Sequence, residues 1–339
     1  MSTTAPPPVA HRPLTVGWGR RRLQHPTLSA AVAAVVGVVA TAVGAGIGIR
    51  HLTKTGLTGT SVVGLALLLI GLTLLTFAGV VAWRTLHLWQ RLWLLPVALV
   101  ALLVIWPVAE GTMLGLTPRN SLGSATPAAQ GLAYSDVTFG TSDGVRLSAW
   151  YVPSTNHAAV VAVPGAGSTR TGTLHQAAIL AGHGYGVLMV DPRGQGRSGG
   201  PAMDAGWYGD SDISAAVTYL QHQPGVDPNR IGVLGLSMGG EEAIGAAAAN
   251  PAIHAVVAEG ATHRTAADKA GYLPGGITGT IQRGMDKLTY GVAALLSSAP
   301  EPGTLHSAIT RARAPVRATG HARRPPLLHS GAGPRTSAG

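Results

Sequence analysis

The sequence predicts an α/β fold in which a mostly parallel sheet, with helices on both faces, follows three membrane-spanning helices. Two observations lead to this prediction. Three apolar runs lie within the first 116 residues, and each has about the 20 residues that a helix needs to cross a bilayer. From about residue 132 onward, short apolar runs alternate with segments of helical composition. That alternation is typical of a parallel sheet that is buried on both faces.

The composition also favours a membrane protein. Of the 339 residues, 46% are hydrophobic and only 11% are charged, whereas about 25% are charged in an average soluble domain. The chain has no cysteine, which excludes disulfides, thiol catalysis and cysteine-ligated metals. We expect no metal and no cofactor. The net charge of +10 is concentrated at the two ends of the chain.

The first 117 residues predict the membrane topology. Residues 1–26 are polar and basic, as in a disordered tail, and the predicted spans are 27–49, 61–83 and 92–116. The positive-inside rule places the N-terminus in the cytoplasm and everything after the third span outside it, in a multi-pass protein of the plasma membrane whose partner is the lipid bilayer. The basic residues assigned to the inner side are Arg12, Arg20, Arg21, Arg22, Arg84 and Arg91, against Arg50, Lys54 and Arg119 outside. Glu110, near the outer end of the third span, is expected to reach the interface.

A linker at 118–131, rich in Ser, Ala, Pro and Gly, precedes a domain at 132–316. Two short runs joined through Asp143-Gly144 predict a hairpin. The predicted strands are then 158–163, 185–190, 231–236 and 252–258, and the helices between them are 173–181, 210–221 and 241–249. An apolar lid is expected at 262–298, where Asp268 and Asp286 are expected to be solvated.

The motif that organises the domain is Gly-x-Ser-x-Gly at residues 235–239. An apolar strand enters Ser237 and a helix of small residues follows it, which is the context of a nucleophile elbow. Gly235 and Gly239 flank the serine because side chains there would collide with the packed backbone. The amide of Met238 begins the helix, where its N–H lacks an intrahelical partner and can stabilise an oxyanion.

Two other glycine patterns are weaker. Ser198 also lies in a Gly-x-Ser-x-Gly match, but no strand enters it directly and Pro201 follows it. Residues 194–199 match Gly-x-Gly-x-x-Gly, yet Pro192 and Arg193 separate the glycines from the preceding strand. A dinucleotide site requires glycines at a strand-to-helix turn, so we do not predict one.

Three motifs in chain order make residues 132–260 resemble an α/β-hydrolase domain of the serine esterase and peptidase type. Residues 164–167 resemble the oxyanion loop of that family, with proline in place of histidine, and residues 191–198 resemble its Asp-x-Arg-Gly-x-Gly-x-Ser turn. The elbow is the third. The resemblance implies that Ser237 is the nucleophile, that the amides of Ala166 and Met238 form the oxyanion hole, and that the substrate is a small ester or amide. It implies structural roles for Gly165, Gly167, Asp191, Arg193, Gly194, Gly196, Gly235 and Gly239.

The same family requires an acid and then a histidine after the serine. Beyond Val316 no apolar strand follows, and residues 317–339 are rich in Arg, Pro, Gly and Ala, as in a disordered basic tail. We therefore predict an incomplete α/β-hydrolase sheet with a truncated or out-of-frame C-terminus. The candidate acid is Glu259, at the end of the strand after the elbow. The candidate base is His321, and His254 and His263 are further candidates.

The predicted function is a membrane-anchored serine hydrolase that acts by acyl-enzyme chemistry and is impaired by loss of the acid and histidine segment. The alternative is a catalytically inactive domain that binds a ligand or a partner. A histidine close to Ser237 would favour the enzyme. A nucleic-acid binder ranks last, because the basic tail has no stacking aromatic residues, so no nucleic acid is expected as a partner.

Overall fold

The computed structural model describes residues 26–319 of the chain, and its first three long helices are α1 (Pro26–Thr55), α2 (Gly59–Thr85) and α3 (Leu94–Gly115). A single 3₁₀ turn, Gln90–Trp93, precedes α3. All three helices are long and apolar enough to cross a membrane. The predicted spans agree with them to within six residues at each end.

Glycines allow the first two helices to pack backbone against backbone. A Cβ atom on Gly64 would overlap the backbone of Gly48, and one on Gly44 would overlap the backbone of Leu68. Small residues at such contacts are typical of helix pairs in membranes, where close backbone approach replaces the hydrophobic effect as the source of association. The spacing of Gly44 and Gly48, four residues apart, puts both on one face of α1.

The rest of the described chain is built around a seven-stranded mixed sheet with the strand order β1-β2-β4-β3-β5-β6-β7. Its strands are β1 (Ser135–Gly140), β2 (Arg146–Val152), β3 (Ala159–Val163), β4 (Gly186–Val190), β5 (Ile231–Leu236), β6 (Ala255–Glu259) and β7 (Val316–Thr319). The pairs β1–β2 and β2–β4 are antiparallel, and the others are parallel. The predicted hairpin is therefore the antiparallel edge of an otherwise parallel sheet.

Helices cover both faces of this sheet, and the predicted α/β-hydrolase fold class is confirmed. The helices are α4 (Leu174–Gly182), α5 (Gly209–Gln221), α6 (Met238–Ala249), α7 (Ala266–Ala270), α8 (Gly276–Leu296) and α9 (Leu305–Arg311). The larger core lies under α5, α6 and α9, with Ile213, Ile244 and Leu305 among its buried residues. The smaller core lies under α4, around Trp150 and Met189.

Two predicted boundaries are corrected. Residues 317–319 were assigned to the disordered tail, but they belong to β7, which pairs in parallel with β6. The side chains of 317–319 are exposed, so backbone hydrogen bonds such as Gly260 N–H to Thr319 O hold this edge strand rather than apolar burial. The linker at 118–131 packs on the domain, because Asn120 donates to Gln195 Oε1 and Leu122 contacts the smaller core. Residues 320–339, which are the remainder of the predicted C-terminal tail, lie outside the described residues.

The two lid carboxylates were expected to be solvated, and this was wrong. Asp268 caps α7 by accepting from the Thr265 N–H and accepts from the Leu305 N–H at the start of α9. Asp286 is buried and lies 3.4 Å from Lys269 Nζ. Lys269 also lies 4.0 Å from Glu110 in α3. Each carboxylate has donors within the fold, and these interactions offset the free energy that its removal from water costs.

Candidate active site

The junction of β5 and α6 forms a strained, exposed turn at Ser237. The residue has φ 52° and ψ −118°, a combination that side-chain-bearing residues rarely adopt. Its N–H donates to the Glu259 carbonyl at 2.6 Å, and its own carbonyl accepts from the Gly240 N–H at 2.8 Å. These bonds hold the turn on both sides while the serine side chain stays exposed. Strain of this kind persists only where the surroundings enforce it, and it is concentrated at functional sites.

The two elbow glycines are required by contact distances. A Cβ on Gly235 would overlap the Gly239 carbonyl, and a Cβ on Gly239 would lie 2.6 Å from the carbonyl oxygens of Val163 and Pro164. Helix α6 therefore starts directly against the end of β3. The sequence-based explanation of Gly235 and Gly239 agrees with this geometry.

The predicted oxyanion loop lies beside the serine. A Cβ on Gly165 would be 3.3 Å from the Cβ of Ser237, so the backbones of the two segments are in near contact. Gly167 has φ 63°, which favours glycine, and Ala166 between them is exposed. Met238 is the first residue of α6, so its N–H belongs to the four that a helix leaves without an intrahelical acceptor. An oxyanion at Ser237 would meet the positive end of the helix dipole.

Glu259 occupies the position next to the elbow on the neighbouring strand. It ends β6, directly opposite Leu236 of β5, and its carbonyl binds the Ser237 N–H. Its side chain is half-buried. The candidate acid and the serine are therefore at the same edge of the sheet.

The structure separates the histidine candidates. The His254 N–H donates to the carbonyl of Ile231, the first residue of β5. His254 therefore lies at the amino ends of the strands, whereas Ser237 follows the carboxyl end of β5. His263 follows β6 on the side of Ser237, where its N–H donates to Glu241 Oε1 and its Nδ1 lies 2.9 Å from the Thr262 hydroxyl. Burial lowers the pKa of His263, and this effect outweighs the opposing charge of Glu241. His321 lies outside the described residues. Among residues 26–319, no histidine ring forms a hydrogen bond with Ser237 Oγ.

The turn after β4 is a buried ionic and hydrogen-bonding centre. Asp191 is fully buried, accepts from the N–H groups of Arg170 and Arg197, and forms a 2.9 Å ion pair with the Arg170 guanidinium. Ser198 is also fully buried, and its hydroxyl accepts from Ser148 N–H and donates to the Asp191 carbonyl. Ser198 is therefore a structural hydroxyl, in agreement with its rejection as a nucleophile.

Arg193 ties this turn to the rest of the domain. Its guanidinium forms ion pairs with Asp143 in the β1–β2 turn and with Asp212 in α5. The bond to Arg193 is the main cause that holds the pKa of Asp143 well below its ordinary value. Gly194 and Gly196 have positive φ, and a Cβ on either would overlap Ala202 or Asp191. These contacts give Arg193, Gly194 and Gly196 structural roles in the turn.

A family model described as serine aminopeptidase, S33, matches residues 154–331, just over half of the chain. The chain belongs to this family. The match includes the oxyanion loop, the Asp191 turn and the elbow. Within the described residues no group of three or more His, Cys, Asp or Glu side chains is arranged to hold a metal ion.

Several proteins resemble this S33 chain over part of its length. An uncharacterized protein of Mycobacterium tuberculosis is 36% identical over 137 residues, which are 40% of this chain and 46% of that protein. A thiohydrolase of Aspergillus aculeatus is 35% identical over 128 residues, 37% of this chain and 40% of that enzyme. The chain thus spans less than half the length of these curated relatives. A solved esterase of Pyrococcus furiosus is 26% identical, with a TM-score of 0.47 over 60% of this chain and 75% of that one.

The sequence did not reveal that the helical segment contacts the site. Arg50, in the last turns of α1, forms an ion pair with Asp204, and the other oxygen of Asp204 accepts the Gly167 N–H at 3.0 Å. The Asp204 N–H donates to the Leu114 carbonyl in α3. Burial raises the pKa of Asp204, while Arg50 and the Gly167 N–H oppose that rise. Arg50 and Asp204 are 154 positions apart, so no local pattern could have found the pair.

Proposed function

We propose that this chain is a membrane-anchored serine hydrolase that cleaves an ester or amide through an acyl-enzyme. The observation that supports this most directly is the exposed Ser237 on a positive-φ turn, with the Gly165 loop in near contact and the first amide of α6 adjacent. In an S33 family chain, that arrangement is best suited to nucleophilic attack followed by oxyanion stabilisation.

The proposed chemistry has two halves. Ser237 Oγ bonds to the substrate carbonyl carbon as its proton passes to a general base, and the carbonyl electron pair moves onto oxygen. The amides of Ala166 and Met238 hold that oxyanion. Its collapse breaks the bond to the alcohol or amine, which leaves with the proton, and water then releases the acid by the same route.

We assign the acid to Glu259 and the base to His321, and we expect weak turnover. No histidine of residues 26–319 forms a hydrogen bond with Ser237 Oγ. Without a well-positioned base, the oxyanion hole and substrate binding alone supply roughly 10³–10⁴-fold acceleration over water. The same observation favours the second candidate, an inactive hydrolase-like domain that binds a ligand or partner.

We further propose that the three helices span the plasma membrane with the N-terminus in the cytoplasm and the hydrolase domain outside. The excess of basic residues on the N-terminal side supports this orientation. The ends of α1 and α3 also meet at Asp204, which contacts Arg50 and Leu114. Three spans require that those two helix ends share one side of the bilayer.

The test is covalent labelling of the full-length protein in proteoliposomes by a fluorophosphonate, together with hydrolysis of a p-nitrophenyl ester. We expect labelling that Ser237→Ala abolishes, and weak turnover that Ser237→Ala lowers further. Ser198→Ala is the matched control. It removes a buried hydroxyl and should lower the free energy of unfolding by about 1–3 kcal/mol, but Ser237 should still be labelled. Glu259→Gln and His321→Ala should each lower turnover and keep the fold. A folded protein that is never labelled at Ser237 would favour the inactive binding domain.

A further inference from the structure

We infer that helix α8 lies in the outer interface of the bilayer, beside α3, with one apolar stripe inserted among the lipids. This inference rests on the proposed membrane anchoring and is independent of catalysis. It concerns a surface of the lid segment that the sequence predicted to be apolar but to which it assigned no partner.

The polarity of α8 is the reverse of that of a helix on a soluble domain. Its exposed stripe contains Ile277, Ile281, Leu288 and Leu295, which are 79%, 45%, 37% and 84% exposed. At 3.6 residues per turn these four positions fall within about 40° of one another around the helix, on a single face along its whole length. The opposite, buried face includes Asp286, Thr289 and Tyr290. A soluble helix places its polar face in water and its apolar face inside.

The buried face of α8 makes specific polar and aromatic contacts with other parts of the described chain. Asp286 is paired with Lys269, which also lies near Glu110 of α3. The Tyr290 ring stacks with the Trp207 ring at a centroid distance of 6.4 Å. The helix is therefore held in this rotation by specific contacts, and it exposes the stripe as a consequence.

The contact with α3 identifies lipid as the occupant. A Cβ on Gly111 of α3 would overlap the Thr289 carbonyl, and one on Gly115 would lie 2.9 Å from Leu296 Cβ, so the backbone of α3 meets α8 at the last two turns of the span. The lipid-facing side of α3 is itself apolar and exposed, for example at Trp106. The stripe thus lies on a helix that packs directly against the end of a candidate membrane span.

Two features at the margin of the stripe suit the headgroup region. Tyr272, in the loop before α8, is 69% exposed, and tyrosine is enriched at membrane–water interfaces. Arg283 and Lys287 lie to one side of the stripe, where their long side chains can reach lipid phosphates. An apolar face with a basic margin is typical of a helix that lies in the plane of the interface.

The chain has no cysteine, so single labels can be introduced without background. We would prepare Ile281→Cys and Leu288→Cys in the full chain, attach an environment-sensitive nitrobenzoxadiazole fluorophore, and reconstitute the protein in phosphatidylcholine vesicles with or without brominated lipid. The matched control is Thr218→Cys, which is exposed near the end of α5 that points away from the site. We expect a blue-shifted emission that brominated lipid quenches at positions 281 and 288, and neither effect at 218.

Three outcomes would overturn the inference. The stripe labels could be as accessible to aqueous iodide as the label at 218. They could be shielded from water but not quenched by lipid, with a shift that grows with protein density, in which case a second copy covers the stripe. They could be shielded from water and unquenched by lipid whatever the ratio of lipid to protein, in which case the lid has closed on the domain. None of these results bears on whether Ser237 is labelled by a fluorophosphonate, so failure here is distinct from failure of the proposed enzyme.

Discussion

Replacing Arg50 with alanine should destabilise the sheet domain, although Arg50 itself lies in helix α1. The substitution removes the guanidinium that compensates Asp204, whose side chain is only 5% exposed. Breaking a buried ion pair by removing one partner costs about 3–5 kcal/mol, because the other charge is left without compensation. We expect about 3 kcal/mol, the lower end, since the Arg50 side chain is 21% exposed and Asp204 keeps the Gly167 N–H.

The loss should depend on pH with a definite sign. Burial already raises the pKa of Asp204, and removing Arg50 raises it further, because Arg50 is the largest effect that opposes burial. A group whose pKa is raised in the folded state favours the fold below its unfolded pKa and ceases to do so as the pH rises through the folded value. The difference between Arg50→Ala and the parent should therefore be small at acidic pH, where Asp204 is protonated in both proteins, and should grow as the pH rises and the carboxyl ionises.

The assay is urea unfolding of the full chain in detergent micelles, followed by tryptophan fluorescence at several pH values. Arg50→Lys keeps the charge and should recover part of the loss, while Arg84→Ala, exposed at the end of α2, is the matched control and should change stability by less than about 0.5 kcal/mol. A loss equal to that of Arg84→Ala, or one that does not vary with pH, would refute the argument that Arg50 compensates a buried carboxylate.

Three further predictions concern other parts of the chain. A reporter enzyme that works only outside the cytoplasm should be active when fused after Gly123, and activity of a cytoplasm-restricted reporter there would reverse the topology. Gly239→Ala should prevent folding or cost more than about 2 kcal/mol, measured by urea unfolding, because its Cβ would lie 2.6 Å from the Pro164 carbonyl oxygen, whereas Gly284→Ala in α8, with no atom near its Cβ, should be tolerated. The His263 ring should titrate by NMR below its ordinary pKa of 6.5, because burial favours the neutral ring. The stability that the neutral ring contributes is then complete above pH 6.5 and is lost as the pH falls through the lowered pKa. A normal titration would show the ring to be solvated.

The elbow was predictable from sequence because the motif that marks it is local. Gly235, Ser237 and Gly239 lie within five residues, although the contacts that require Gly239 come from Val163 and Pro164 at the end of the adjacent strand β3. The apolar strands were predictable for the same reason, since burial on both faces leaves a continuous apolar run. These local signals fix the fold class and the nucleophile candidate.

The errors have physical causes that no local pattern records. Strand β7 is held by its backbone at the sheet edge, so its exposed side chains carry no strand signal beyond Val316. Asp286 reads as a surface residue until Lys269 is placed beside it. The sequence predicted an apolar lid at 262–298, but periodicity gives the direction of a hydrophobic face only relative to its helix, and does not tell whether that face points to a core or to lipid.

The position of the helix ends against the loop at residues 165–167 has a consequence for kinetics. Arg50 and Leu114 both contact Asp204, and Asp204 accepts a hydrogen bond from Gly167, so the loop beside Ser237 lies against the C-terminal ends of α1 and α3. If these helices span a bilayer, Ser237 lies close to the membrane surface, because the loop beside it contacts the helix ends. Molecules that partition into that surface would then encounter the serine by lateral diffusion in two dimensions. For such substrates the relevant concentration is the mole fraction in the leaflet, and rates measured against bulk concentration would change with the amount of lipid in the assay.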